Sequence, residues 1–139
     1  MNTVYLNDEN LLTSSEYQQF IKDNPSTGYL KIRASAASQA IPINNLKVTV
    51  YKIIGNNRVI FFEGYTNDSG IIEKISLPAP PLNPNDEIVP KSTTYDIETT
   101  YLKDNLKQIH KVNIYENICV VQTINIIPNN YKVDEYYGY

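Results

Sequence analysis

The chain has 139 residues, a formal net charge of −3 and 42% hydrophobic residues: enough for one domain with its own core, and no electrostatic pull toward nucleic acid or anionic lipid. No apolar run approaches the roughly 20 residues of a spanning helix, so no membrane or nucleic-acid partner is expected. A single cysteine, Cys119, excludes an internal disulfide, and 12 Tyr against 3 Phe favour half-buried strand faces and contact surfaces.

In chain order, residues 1–13 are polar with scattered apolar positions and read as a mobile N-terminal arm. Ser14 to Pro25 reads as one short helix. Ser14 or Ser15 caps it, Glu16 lies in its first turn, and Asn24-Pro25 stops it. Tyr17, Phe20 and Ile21 give it one apolar face. From Gly28 the period changes to two. Leu30, Ile32 and Ala34 alternate with Lys31, Arg33 and Ser35, and Leu46 to Tyr51 alternates in the same way.

Gly55-Asn56-Asn57 turns the chain into a β-rich run from Arg58 to Thr66, and Asn67-Asp68-Ser69-Gly70 turns it into a strand from Ile71 to Leu77. The stretch from Pro78 to Pro90 holds most of the eight prolines and reads as a stiff crossover. Thr93 to Tyr101, Gln108 to Tyr115 and Ile118 to Ile127 complete the strands, with turns at Asp104-Asn105 and Glu116-Asn117. About seven short strands with a turn every 8–12 residues form the pattern of a β-sandwich. It spans residues 14–128 with its leading helix, and a Tyr-rich tail occupies 129–139.

The run Asn24-Pro25-Ser26-Thr27-Gly28-Tyr29-Leu30-Lys31-Ile32-Arg33, then Ala40-Ile41-Pro42-Ile43 and Val48-Thr49-Val50, resembles the opening of a carboxypeptidase-regulatory-like (transthyretin-like) domain. The version it is similar to is the clostridial one, including the N-terminal domain of spore cortex-lytic enzymes. Thr66 to Ile72, Ile75 to Pro80, Thr94 to Ile97, Ile114 to Ile118 and Gln122 to Pro128 extend the likeness over residues 16–128. The resemblance implies an all-β, seven-stranded transthyretin- or immunoglobulin-like sandwich with a short N-terminal helix and extended arms. It also implies an accessory module that is not an enzyme. Where relatives often carry Gly, this chain has Asp104-Asn105 and Asn117, and Asn tolerates the left-handed backbone. The layout departs from the lytic enzymes in that no hydrolase or peptidoglycan-binding repeat follows.

Little in the sequence points to catalysis. His110 is the one histidine, it lies in an alternating strand, and no Gly-x-Ser-x-Gly elbow accompanies it. One His and one Cys give no zinc spacing, and Asn67-Asp68-Ser69, conceivable as calcium ligands, reads as a plain turn before Gly70. No catalytic residue, metal or cofactor is expected. Cys119 is expected as a small buried hydrophobe, with an intermolecular disulfide as the alternative. Lys31, Asn125 and Glu98 are candidates for an intramolecular isopeptide bond, which would remove about 17 Da as ammonia.

The arms carry the remaining signal. Val4, Tyr5 and Leu6 at one end, and Tyr136, Tyr137 and Tyr139 at the other, are the candidates for pairing with a neighbour's sheet edge. The expected function is therefore a self-assembling structural subunit, a filament, surface layer or appendage, with its own copies and cell-wall or spore-coat components as partners. A binding module for cell-wall carbohydrate or protein, and a phage-tail-like accessory component, are the alternatives. Met1 to Asp8 lacks the basic and apolar stretches of a signal peptide, so cytoplasmic synthesis and a cell or spore surface reached without such a signal are expected.

Overall fold

Alternation decides most of the architecture. Leu30, Ile32, Ala34 and Ala36 are all buried, as are Val48 and Val50, and Tyr95, Ile97 and Thr99, so each of these strands turns one face to a shared core. The computed structural model describes residues 1–37, 40–82, 90–101 and 105–127. Its elements run β1 (Asn2–Tyr5), α1 (Glu9–Leu12), α2 (Ser15–Asp23), β2 (Ser26–Ala36), β3 (Ile41–Pro42), β4 (Lys47–Ile54), β5 (Asn57–Tyr65), β6 (Ile71–Ala79), β7 (Thr93–Tyr101), β8 (Leu106–Ile114) and β9 (Cys119–Asn125).

The protein is an all-β sandwich of two sheets, as the sequence pattern predicts. One sheet has the order β1-β5-β4-β7-β8. In the other, β2 lies between β6 and β9, and the two-residue β3 pairs with its end. Seven of the strands match the predicted set; β1 and β3 are additional. Among the described residues five of the seven strand pairings are antiparallel, but β1 runs parallel to β5 and β9 parallel to β2.

Residues 1–13 depart from the expected mobile arm. Asn2, Thr3, Val4 and Tyr5 pair in register with Asn57, Arg58, Val59 and Ile60 of the same chain. Asp8 then caps α1, its Oδ1 accepting from the Asn10 N–H at 2.8 Å, and Leu11 is buried in the core. The segment is thus folded onto the sandwich, because Val4 and Leu11 both find apolar surface there.

The helix predicted from Ser14 is α2. The Tyr17 N–H donates to Ser14 Oγ at 3.3 Å, and Tyr17 and Phe20 turn inward. Phe20 packs against Phe61 (centroids 5.6 Å apart) and edge-on to Tyr95 (6.5 Å). A bulge in β5 opposite Val50 and Tyr51 lets both Phe61 and Phe62 reach the core.

The predicted proline crossover begins later than expected. Pro78 and Ala79 belong to β6, where Pro78 faces Thr27. An edge strand tolerates a missing N–H, and the Pro78 carbonyl accepts a hydrogen bond from the Tyr95 hydroxyl at 2.5 Å. Residues 83–89 lie outside the described residues. At the turns, Asn105 and Asn117 have φ of 49° and 58°, the left-handed values that the sequence reading assigned to them.

Thr66 ties the two loops before β4 and after β5 together. Its buried hydroxyl donates to the Ile43 carbonyl at 2.7 Å and accepts from the Leu46 N–H at 3.0 Å. Thr66→Val keeps the shape and strands both backbone groups. We expect it to lower stability by about 1–3 kcal/mol, read as a lower urea midpoint at unchanged m-value.

Candidate interaction surface

The residues singled out in the sequence fall in three regions of the sandwich: the β5 edge carrying β1, the outer face formed by β6, β2 and β9, and the β8 edge with His110.

On the first edge, β1 covers only Asn57 to Ile60, so among the described residues no strand pairs with the same side of Phe61 to Tyr65. Tyr5, Leu6 and Asn7 leave β1 there and line a cavity of about 400 Å³ with Ile60, Phe61, Phe62 and Glu63. Val4 is half-buried, whereas Tyr5 is 48% exposed and Leu6 36%. The predicted assembly residues Val4, Tyr5 and Leu6 are thus placed on the chain's own sheet edge, with half of that edge left open. Tyr136, Tyr137 and Tyr139 lie outside the described residues.

The second surface is the outside of the β6-β2-β9 sheet. Alternation turns Tyr29, Lys31, Arg33 and Ser35 of β2 to this side, in register with Cys119, Val121, Thr123 and Asn125 of β9. Lys74 of β6 lies over the Tyr29 ring at 4.4 Å, and Lys31 pairs with Glu73 at 3.6 Å. Cys119 is exposed among the described residues, correcting the expectation of a buried thiol: it opens β9 on the outer face.

The isopeptide candidates are not brought together. Lys31 stands opposite Val121, four residues along β9 from Asn125, which puts them about 13 Å apart on the outer face. Glu98 lies on the other sheet, where its carboxylate holds the Arg58 guanidinium at 2.9 Å above the Tyr51 ring. No acid sits beside a Lys–Asn pair here, because the pleat puts Lys31 outside the core and Glu98 outside the opposite sheet.

His110, on β8, is half-buried, and its Nε2 lies 3.1 Å from Gln108 Oε1. Gln108 in turn donates to the Asn125 carbonyl, bridging β8 to β9. In the Asn67–Gly70 turn, Asn67 Oδ1 accepts the Ser69 and Ile71 N–H groups at 2.9 and 3.0 Å, so the turn itself uses that oxygen. At the other end of the sandwich Glu116 accepts from Ser26 Oγ and from the Leu82 N–H at 3.2 Å. Those bonds, the hydroxyl first, hold its carboxyl below the ordinary carboxylate value.

The sequence reading missed two buried hydroxyls, Ser35 Oγ and Thr99 Oγ1, which have no hydrogen-bond partner among the described residues. No local signal marks them, since each reads as one more polar residue in an alternating strand.

No protein-family model matches the chain, and no curated protein matches it. Among solved structures, the 5-hydroxyisourate hydrolase of Klebsiella pneumoniae is similar over 70% of this chain and 90% of that chain, at 12% identity and a TM-score of 0.44. That protein is a hydrolase, and this corrects the expectation that a chain of such architecture is not an enzyme: the sandwich alone does not exclude catalysis. At this level of similarity the comparison assigns no reaction and no residue role, and the fold stands on the strand order and registers given above.

Proposed function

We propose that the chain is a subunit that associates with its own copies by exchanging β1, which leaves its own β5 and pairs with β5 of a neighbour. The observation that carries this reading is the placement of β1: four residues in parallel register on a sheet edge, with one half-buried side chain, Val4. A neighbour's β1 would make the same contacts, so exchange changes only the path of the connection. Leu11 is 3% exposed and anchors α1 to the body, which leaves Leu6 to Asp8 as the hinge. Repeated head-to-tail, such exchange gives a filament or layer when the rotation does not close. The sequence resemblance to clostridial modules supports a cell or spore surface as the setting, with wall or coat components as further partners. The exposed Cys119 is available to cross-link neighbours where that surface is oxidising.

The test is a pair of introduced cysteines at the register partners Asn2 and Asn57, in a Cys119→Ser background. On oxidation, ladders of dimers and higher species on a non-reducing gel are the expected result. A single internally bridged monomer at every protein concentration would overturn the exchange. A chain lacking residues 1–7, which keeps Leu11, is expected to lose any fibres or oligomers seen by negative-stain electron microscopy.

A further inference from the structure

A cavity of about 300 Å³ opens on the outer face of the β6-β2-β9 sheet, lined by Arg33, Ala34, Ser35, Pro42 and Ser69. Ser35 is 4% exposed, and its hydroxyl has no partner among the described residues. A buried hydroxyl without a partner destabilises a fold, and in a native structure it calls for a water, an ion or a ligand. The other two polar walls are exposed. Arg33 stands exposed, in no ion pair among the described residues, and Ser69 sits exposed at the tip of the Asn67–Gly70 turn.

The neighbouring carboxylates are turned elsewhere. Glu73 pairs with Lys31, and Asp68 accepts from Asn44 at 3.5 Å; neither lines the cavity. The walls thus offer a guanidinium and two hydroxyls, with no acid among them. Two features hold this geometry. Gly70, with φ of 76°, brings its carbonyl to within 2.7 Å of the Ala34 N–H, and β3 lays Pro42 beside Ser35.

We propose that this cavity is a binding site for a small oxyanion, a phosphate, sulfate or carboxylate group, free or carried on a larger ligand. Arg33 supplies the charge, the Ser69 hydroxyl donates, and the Ser35 hydroxyl, shut off from solvent, donates on turning about its χ1 toward the anion. A volume near 300 Å³ falls at the small end of ligand sites and leaves room for part of whatever bears the anion. The site includes no residue of β1 or β5, so it does not rest on the strand exchange.

The experiment is a titration of the 15N-labelled full chain with inorganic phosphate, and separately with acetate, followed by amide shifts. Saturable movement of the Arg33 to Ser35 and Ser69 to Gly70 amides is expected. Arg33→Gln should weaken binding about tenfold or more, the scale of a lost charge-assisted hydrogen bond. Ser35→Ala should weaken it as well while melting no lower than the parent, since it removes an unpaired group. Lys74→Gln, a cation on the same face outside the cavity, should leave the affinity unchanged. Preference for phosphate over acetate, or the reverse, identifies the class of anion. No saturable shift with either anion, or equal losses in Arg33→Gln and Lys74→Gln, would overturn the site and leave a water-filled dimple or diffuse positive charge.

Discussion

Tyr95→Ala is expected to lower stability by about 3–5 kcal/mol, the range for deleting a buried aromatic ring. Tyr95 is fully buried, and its ring meets Phe61 edge-on at 5.3 Å and Phe20 at 6.5 Å. Its removal therefore opens a hole where α2, β5 and β7 converge. Tyr95→Phe separates the ring from the hydroxyl: it keeps the packing and strands the Pro78 carbonyl, for about 1–3 kcal/mol. Chemical denaturation of the two variants beside the parent reads both values; equal losses would mean that the hydrogen bond, not the ring, dominates.

The same residue sets an alkaline limit. Burial, and then the neighbouring Tyr17, push the Tyr95 hydroxyl above its ordinary value, so the folded state keeps a proton that the unfolded chain releases. The folded pKa is the higher one, so the contribution is complete below about pH 10 and is lost as pH rises beyond it. Tyr95→Phe should show a shallower alkaline loss than the parent.

The second large effect is expected at Gly70. A Cβ there would stand 2.3 Å from the Ala34 carbonyl oxygen and 3.1 Å from the Ile43 nitrogen, both backbone atoms, and the residue has φ of 76°. Gly70→Ala therefore combines left-handed strain with a collision that only main-chain movement relieves, about 2–5 kcal/mol together. Gly55→Ala is the control. It shares the positive φ (61°), but its nearest neighbour is the Glu16 side chain at 3.5 Å, so about 1–2 kcal/mol of strain is all it should lose. Thermal melts that show similar losses at both glycines would argue against the close approach of β2 to the turn before β6.

Much of this fold is legible in the residues because alternation survives burial: β2, β4 and β7 announce their inner faces through Leu30 and Ile32, Val48 and Val50, Tyr95 and Ile97. What escapes is what depends on a distant partner. β1 is four residues with a single half-buried side chain, too short to show a period, and it becomes a strand only because the β5 edge is there to receive it. Proline suggests the end of β6, yet Pro78 stays in the ladder because, among the described residues, β6 has a neighbour on one side only. The candidate surface was half legible. The sticky Val4-Tyr5-Leu6 stretch is visible, but not that its partner lies in the same chain. The Arg33, Ser35 and Ser69 cavity is not legible at all, since Ser69 is carried by a turn that reaches β2 only in three dimensions.

The parallel pairing of β9 with β2 has a consequence for how the protein is made. Ser26 and Glu116, which meet at one end of that pair, are 90 residues apart in sequence. At translation speeds of about 5–20 residues per second, β2 leaves the ribosome on the order of 5–20 s before its partner. Throughout that interval one flank of the central strand presents unpaired amides to solvent, and closing so long a loop is slow. Yield in a cell therefore depends on whatever shields the nascent β2, and factors that slow translation late in the message lengthen the period of exposure.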